Sequence, residues 1–410
     1  MKINWKSNVA LFLGGQALTI FGSSVVQYAI LWHITLDTQS GTMMTVFSVA
    51  LFLPMFFISP FAGVWADRFN KKYIINISDG CVAFASLIVA VLLFLGIDHI
   101  GILLACAIVR SFGQGVQMPS IGALIPQLAP QEHLTRVNGI QGSIQSISML
   151  AAPMVSGLLM SFAPLETLFM VDVVTAIIGI SILFFLVKVP AAPASTKQNA
   201  ETGGKGIDYF YDIREGLRYI RKHKFVFRLI AISTAFFIAI SPTMLLTTLQ
   251  VTRNFGADVW RLTAIEVVFL SGMIAGGFII SVWGGFKNRI YSMALSCALC
   301  GMQAVGLGLA SNFVLYCVIM GLMGLIMPLY NTPAMVLMQT KVESAYLGRA
   351  LAVFTMAYSI MVPAGMVLFG PLADIITIDA ILIITGAIIV LMSILFVASK
   401  TMREAGKSHL

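Results

Sequence analysis

Twelve long apolar runs, parted by short polar connections, leave this chain few ways to fold. They cover residues 9–32, 43–66, 73–95, 100–125, 137–162 and 165–187, then 225–251, 262–286, 290–310, 313–338, 347–372 and 375–398. A helix of about 20 apolar residues crosses the hydrocarbon of a bilayer. It also satisfies its own backbone hydrogen bonds there, which an open sheet cannot do. Soluble domains carry about 25% charged residues. Only 10% of these 410 residues are charged and 59% are hydrophobic, so the expected class is an all-α membrane protein with twelve transmembrane helices. The basic opening, residues 1–6, followed by an apolar run has the look of a secretion signal. The run is too long for one and no small-x-small cleavage site follows, so it is read as a retained first span.

The formal net charge is +8, yet the basic residues flank spans instead of forming a stripe interleaved with stacking aromatics. That placement argues against a nucleic-acid partner. It also orients the chain, because Lys and Arg collect on the cytoplasmic side of short loops. With both termini cytoplasmic, all of the 25 Lys and Arg lie inside except Arg253, Arg261 and Arg110, the last within a span. Asp37, Asp98, Glu166, Asp258, Asp374 and Asp379 fall on outward loops.

A polar segment divides the runs into two sets of six. The expected organisation is an N-terminal bundle over 1–187, a cytoplasmic linker over 188–224 and a C-terminal bundle over 225–410. The linker opens Pro-, Ala-, Ser- and Gly-rich between Pro190 and Gly206. It then places Phe210, Ile213, Leu217 and Ile220 on one helical face, with Arg214, Arg218, Arg221 and Lys222 elsewhere. That is the pattern of an amphipathic helix lying on the inner leaflet. The two sets echo each other: Pro153 is matched by Pro363, and Pro119 with Arg136 by Pro333 with Arg349. Pseudo-symmetric halves of this kind place a transporter's substrate site near the midplane.

Four ionisable side chains sit inside spans: Asp79, Arg110, Asp172 and Glu266. Each costs about 2.5–3.5 kcal/mol at a helix centre on an insertion scale, so each needs a reason to be there. Arg110 lies near mid-bilayer and calls for a carboxylate, carbonyls or water. Asp79, closer to the inner end, has a second reading as a tie between inner loops. For Asp172 and Glu266, proton coupling or cation binding competes with a permanent ion pair. Polar stripes run along three spans, through Gln16, Ser23 and Gln27, through Gln141, Gln145 and Ser148, and through Thr234, Ser241 and Thr248 beside an expected kink at Pro242. Such stripes either line a watery cavity or bond helices together. A substrate cavity bordered by Gln16, Ser23, Gln27, Gln141, Gln145, Thr234 and Ser241 is the preferred reading. The 23 Met and 28 Phe supply adaptable apolar surface for a bulky ligand.

Catalytic signals are weak. His33-x-x-x-Asp37 is the one pairing with a catalytic flavour, and one helical turn apart it reads as a surface cap. Cys297-x-x-Cys300 has metal or redox spacing but no partner pair, His or charge beside it, and no metal site or disulfide framework is expected. No nucleotide-binding motif is present, so an enzyme or a primary pump is not the expected class.

The loop between the second and third runs carries Gly63, Asp67, Arg68, Lys71 and Lys72 in an ordered spacing. It resembles the signature loop of the major facilitator superfamily, Gly-x-x-x-Asp-Arg-x-Gly-Arg-Lys, with Asn70 at the usual Gly, where it tolerates a left-handed backbone, and Lys71 at the usual Arg. The fifth run holds Ala152, Pro153 and Gly157 in a stretch similar to the superfamily's antiporter motif, with Ser or Ala replacing three of its glycines. Across nearly the whole chain, Arg110-Ser111-x-Gly113, Asp172-Val173, Glu266 ahead of Ser271-Gly272 and Tyr346-Leu347-Gly348-Arg349 resemble the bacterial macrolide-efflux type. That resemblance implies the major facilitator fold of two six-helix halves in a bacterial cell membrane. It further implies proton-driven export of hydrophobic small molecules such as macrolides, by a monomer whose loop 63–72 gates the cytoplasmic side. Protons and the bilayer are then its partners, and a proton gradient takes the place of any cofactor. The alternative on the same fold is a proton-coupled importer of a small metabolite.

Overall fold

The computed structural model of the protein describes residues 5–189, 218–343 and 346–406, and these are helical nearly throughout. The helices are α1 (Trp5–Thr38), α2 (Gly41–Arg68), α3 (Lys71–Phe94), α4 (Ile100–Leu128), α5 (Leu134–Phe162) and α6 (Leu165–Ser181). They continue with α7 (Lys224–Leu245), α8 (Thr247–Asn254), α9 (Val259–Trp283), α10 (Arg289–Leu309), α11 (Phe313–Lys341), α12 (Leu347–Leu372), α13 (Ile378–Ala398) and the short α14 (Lys400–Ala405). Among the described residues, 11 helices are long and apolar enough to cross a membrane, α7 and α8 counting as one crossing. In α12, of 26 residues, the apolar stretch Ile360–Leu372 is shorter and stands outside that set, so the described residues give 11 such helices where twelve were expected. The amphipathic face expected from Phe210 onward lies mostly outside the described residues.

Helix ends follow local chemistry. Asn70 does not take the left-handed conformation that its place in the loop allowed. It is extended (φ −68°, ψ 112°), and its side chain accepts the Lys72 N–H at 3.1 Å, capping α3. An N-cap needs that extended backbone to aim its oxygen at the orphan amides, and that need prevails here. Asn288 and Asn312 cap α10 and α11 in the same way. Gly284 and Gly285, at φ 75° and 78°, end α9 in the left-handed region that only glycine enters freely. Pro242 lacks an N–H and crowds the preceding turn; α7 stops at Leu245 and the chain resumes as α8 one residue later.

The chain forms two compact units, Met1–His33 with Val49–Gly206 and Ile34–Ser48 with Ile207–Leu410. In the first unit α3 packs on α4 and α6. Val9, Phe12 and Leu13 of α1, Ile75 of α3 and Ile121, Leu124 and Ile125 of α4 build one buried core there. A second cluster joins Val25 and Ala29 of α1 to Ala152 of α5 and Leu168 of α6.

In the second unit α9 lies on α11 and α10 on α13. Gly272 and Gly276 press against the carbonyl oxygens of Gly321 and Leu325, and Gly324 against that of Phe269, with no room for a Cβ at any of the three. Close backbone approach at small residues is how helices associate in lipid, where no hydrophobic force drives them together.

The start of α2 belongs to the second unit, and Asp374 holds it. Its carboxylate accepts the Gly41 and Thr42 N–H groups at 2.7 and 2.9 Å and the Ser40 and Thr42 hydroxyls at 2.9 and 2.7 Å. Arg253 pairs with it at 3.1 Å and also donates to the Gln39 and Ala373 carbonyls. Partial burial pulls this carboxyl up, but the hydrogen bonds from Thr42, Gly41 and Ser40 outweigh it and bring the carboxyl down to about 2. A depressed carboxyl stabilises the folded state fully above its unfolded value of roughly 4, and loses that contribution as pH falls toward the folded one. Thermal unfolding in detergent will therefore show Asp374→Asn melting a few degrees below the wild type at pH 7, with the gap closing between about pH 4 and pH 2. A gap that does not change with pH would contradict this role.

Candidate functional site

Two of the four in-span charges meet in the first unit. Arg110 of α4 pairs with Asp172 of α6 at 2.5 Å, and their side chains are 3% and 1% exposed. Two serines complete the set. Ser86 of α3 accepts from Arg110 Nη1 at 2.8 Å and donates to Asp172 Oδ2 at 2.7 Å. Ser23 of α1 donates its hydroxyl to Asp172 Oδ1 at 3.1 Å, while its carbonyl accepts Arg110 Nη2 at 2.7 Å. Gly22 lets α1 come this close, because a Cβ there would collide with Thr175. Four helices are thus joined by one network. Desolvating two charges costs several kcal/mol per ion, and only such complete hydrogen bonding offsets it.

Arg110, but not Asp172, forms part of the wall of a cavity of about 590 Å³, in the range of small-molecule sites. Ser23, Gln27 and Gln145 line it, along with Thr19, Gln114, Gln117, Met118 and Met149. Asp79 lines it as well. It does not tie the inner loops together: it is 8% exposed and its Oδ1 accepts the Gln117 amide at 2.6 Å. Gln16 and Gln141 lie outside this lining, and the Oε1 of each is buried without a hydrogen-bond partner among the described residues.

The sequence reading missed Ser86, Gln114 and Gln117. The signal was present, since Ser86 follows Asp79 by seven residues and Gln117 follows Arg110 by seven, two turns along one face.

The remaining candidates fall elsewhere. Glu266 of α9, in the second unit, is half-buried. Among the described residues no hydrogen bond or ion pair reaches it. Thr234 is half-buried, while Ser241 is buried against Gly365 and donates to the Ile238 carbonyl at 2.8 Å. Ala152, Pro153 and Gly157 are buried in α5. In the stretch 63–72 the side chains of Asp67 and Arg68 lie outside the described residues, and Gly63 falls within α2. Lys71 is half-buried, and Lys72 donates to the Val187 carbonyl at 2.8 Å and lies 5.7 Å from the centre of the Phe184 ring. His33 pairs with Asp98 of the loop between α3 and α4 at 3.4 Å. The five cysteines are free.

Comparison with known proteins agrees with this architecture. The family model described as Major Facilitator Superfamily matches residues 12–366. Macrolide efflux protein A of Streptococcus pyogenes is 28% identical over 393 residues, 95% of either chain. Among solved structures, a bacterial homolog of the human lysosomal transporter Spinster superposes over 100% of both chains, with a TM-score of 0.70 and 13% identity. A D-xylose–proton symporter covers 98% of this chain and 100% of its own, with a TM-score of 0.70 and 15% identity.

Proposed function

Because this chain belongs to the Major Facilitator Superfamily, a family of membrane transporters and not of enzymes, we propose that it is a proton-driven exporter of hydrophobic compounds such as macrolides. The observation that carries the reading is a buried, hydrogen-bonded ion pair, Arg110 with Asp172, whose arginine lies in the wall of a cavity. The similarity to a macrolide efflux protein supports the substrate class. Substrate occupies the cavity beside Gln27, Gln117 and Gln145. A proton reaching Asp172 cancels its attraction to Arg110 and leaves the guanidinium without a counter-charge, so α1, α3, α4 and α6 must rearrange. Among the described residues Glu266 has no ion pair to break, and it is the group that exchanges protons with the gradient. The halves 1–187 and 225–410 rock about the substrate, joined by the linker 188–224, with both termini cytoplasmic and the pump acting as a monomer in the bacterial cell membrane. Ala152, Pro153 and Gly157 keep α5 closely packed at the hinge, and the loop 63–72 locks the cytoplasmic side.

Cells making the protein will accumulate less labelled erythromycin and less ethidium than cells without it, and an uncoupler will abolish the difference. Equal accumulation in both would refute the reading. Asp67→Asn is expected to reach the membrane at normal levels and to lose most of that export; full export by this variant would remove the loop from the mechanism. Four glutamines in the cavity wall also suit a hydroxylated metabolite, which favours proton-coupled import as the second reading. The direction of proton-driven flux in vesicles separates the two.

A further inference from the structure

The chain enters α7 through a joint built on one histidine. Residues 218–222 are helical, α7 begins at Lys224, and His223 between them is extended (φ −99°, ψ 98°). Its position is that of an N-cap, yet its ring makes no capping bond to α7. The ring folds back instead. It stacks on Tyr219 with centroids 3.9 Å apart, and the buried Tyr219 stacks in turn on Tyr346 at 4.5 Å. Tyr346 and Glu343 belong to the connection between α11 and α12, and the Glu343 N–H donates to the Tyr219 hydroxyl at 3.2 Å. The segment leading into α7 is thereby clasped to that connection.

The hydrogen bonds fix how the ring holds its protons. Nδ1 lies 2.9 Å from the Tyr219 carbonyl, which can only accept, so Nδ1 carries a proton in either charge state. In the neutral ring Nε2 is then an acceptor, and it lies 3.8 Å from Glu343 Oε1. Two acceptors so placed repel. A proton on Nε2 reverses the sign: the ring gains an ion pair with Glu343 and a cation–π contact with the Tyr219 face. Among the described residues Glu343 is the charged group that another element brings within 4 Å of the ring. Lys222 and Lys224 flank His223 in the chain, and Lys341 ends α11. The His223 and Glu343 side chains are 41% and 66% exposed, so solvent protons reach both. Histidine changes charge between about pH 5 and 8.

We propose that His223 is a pH-sensing residue, and that acid tightens the clasp between the segment entering α7 and the α11–α12 connection. The stabilisation is present at low pH and is lost as the ring gives up its second proton. The inference names no substrate and stands apart from the export reading.

Amide hydrogen exchange of the purified full chain in detergent tests it, read at Glu343 and Tyr346 as protection relative to the intrinsic rate at each pH. Wild-type protection is expected to rise about threefold or more from pH 8 to pH 5.5, the scale of one exposed ion pair plus one cation–π contact. His223→Gln, which cannot take the charge, should hold protection flat, and Glu343→Gln should lose most of the rise. His223→Arg keeps a planar charge that stacks and pairs at every pH, so its protection should be high and level throughout. Unchanged wild-type protection over this range, or an undiminished rise in His223→Gln, would overturn the proposal.

Discussion

Asp172→Asn is expected to destabilise the protein by about 3–5 kcal/mol, because it strands the Arg110 guanidinium in an almost wholly buried site without a counter-charge. Arg110→Met should cost a similar amount by stranding the carboxylate. The double variant Arg110→Met/Asp172→Leu leaves neither charge behind and should recover most of the loss. The reasoning is geometric. The pair is 2.5 Å apart, almost wholly buried, and every partner it has comes from α1, α3, α4 or α6. A double-mutant cycle read by thermal unfolding in detergent isolates the coupling. Additive losses would mean that the two groups do not act as a unit. The double variant is nevertheless expected to be inactive in export, since the element that the proton perturbs is gone. Stability recovered without transport is the signature that separates a switch from a strut.

Glu266→Gln should have the opposite profile. Gln keeps the size and polarity of Glu and removes only the ability to gain and lose a proton. The native carboxylate bonds to no described residue, so the fold should melt within a degree or two of the wild type. Uphill flux driven by a pH gradient is expected to fall by about tenfold or more, because a gradient moves a conformational equilibrium only through differential proton binding. Substrate-for-substrate exchange, which needs no net proton movement, should remain within about twofold of wild type. Glu266→Asp should restore part of the gradient-driven flux. Loss of exchange together with uphill flux would reassign Glu266 to substrate binding or to the fold.

Much of this architecture is legible in residue order, for a simple reason. Lipid forces every span to be a continuous apolar helix, so the crossings and their connections can be read off the apolar runs. The same physics singles out Asp79, Arg110, Asp172 and Glu266, since each charge in hydrocarbon is costly. Which charge meets which is not legible: Arg110 and Asp172 are 62 residues apart and meet only when α4 and α6 pack against a common neighbour, α3. Of their serine partners, Ser23 shows only as part of a polar stripe, and Ser86 is an ordinary residue distinguished only by a seven-residue step from Asp79. Asp374 illustrates the other limit. In sequence it is one more acid on an outward loop. Its task depends on the start of α2, more than 300 residues earlier, coming close enough to give it two amides and two hydroxyls. Local grammar misleads where an alternative local role exists, as at Asn70, whose capping oxygen fixes an extended backbone, and at His33, drawn to Asp98 across a loop.

The claim on which the functional reading depends is that substrate and protons cross in opposite directions through one protein. Proteoliposomes with an acidic lumen test this directly when labelled erythromycin uptake and lumenal pH are followed together. The expected result is accumulation of the drug against its own gradient with simultaneous alkalinisation of the lumen, both absent from vesicles carrying Glu266→Gln. Uptake that proceeds equally with no pH gradient, or drug and protons leaving the lumen together, would contradict it.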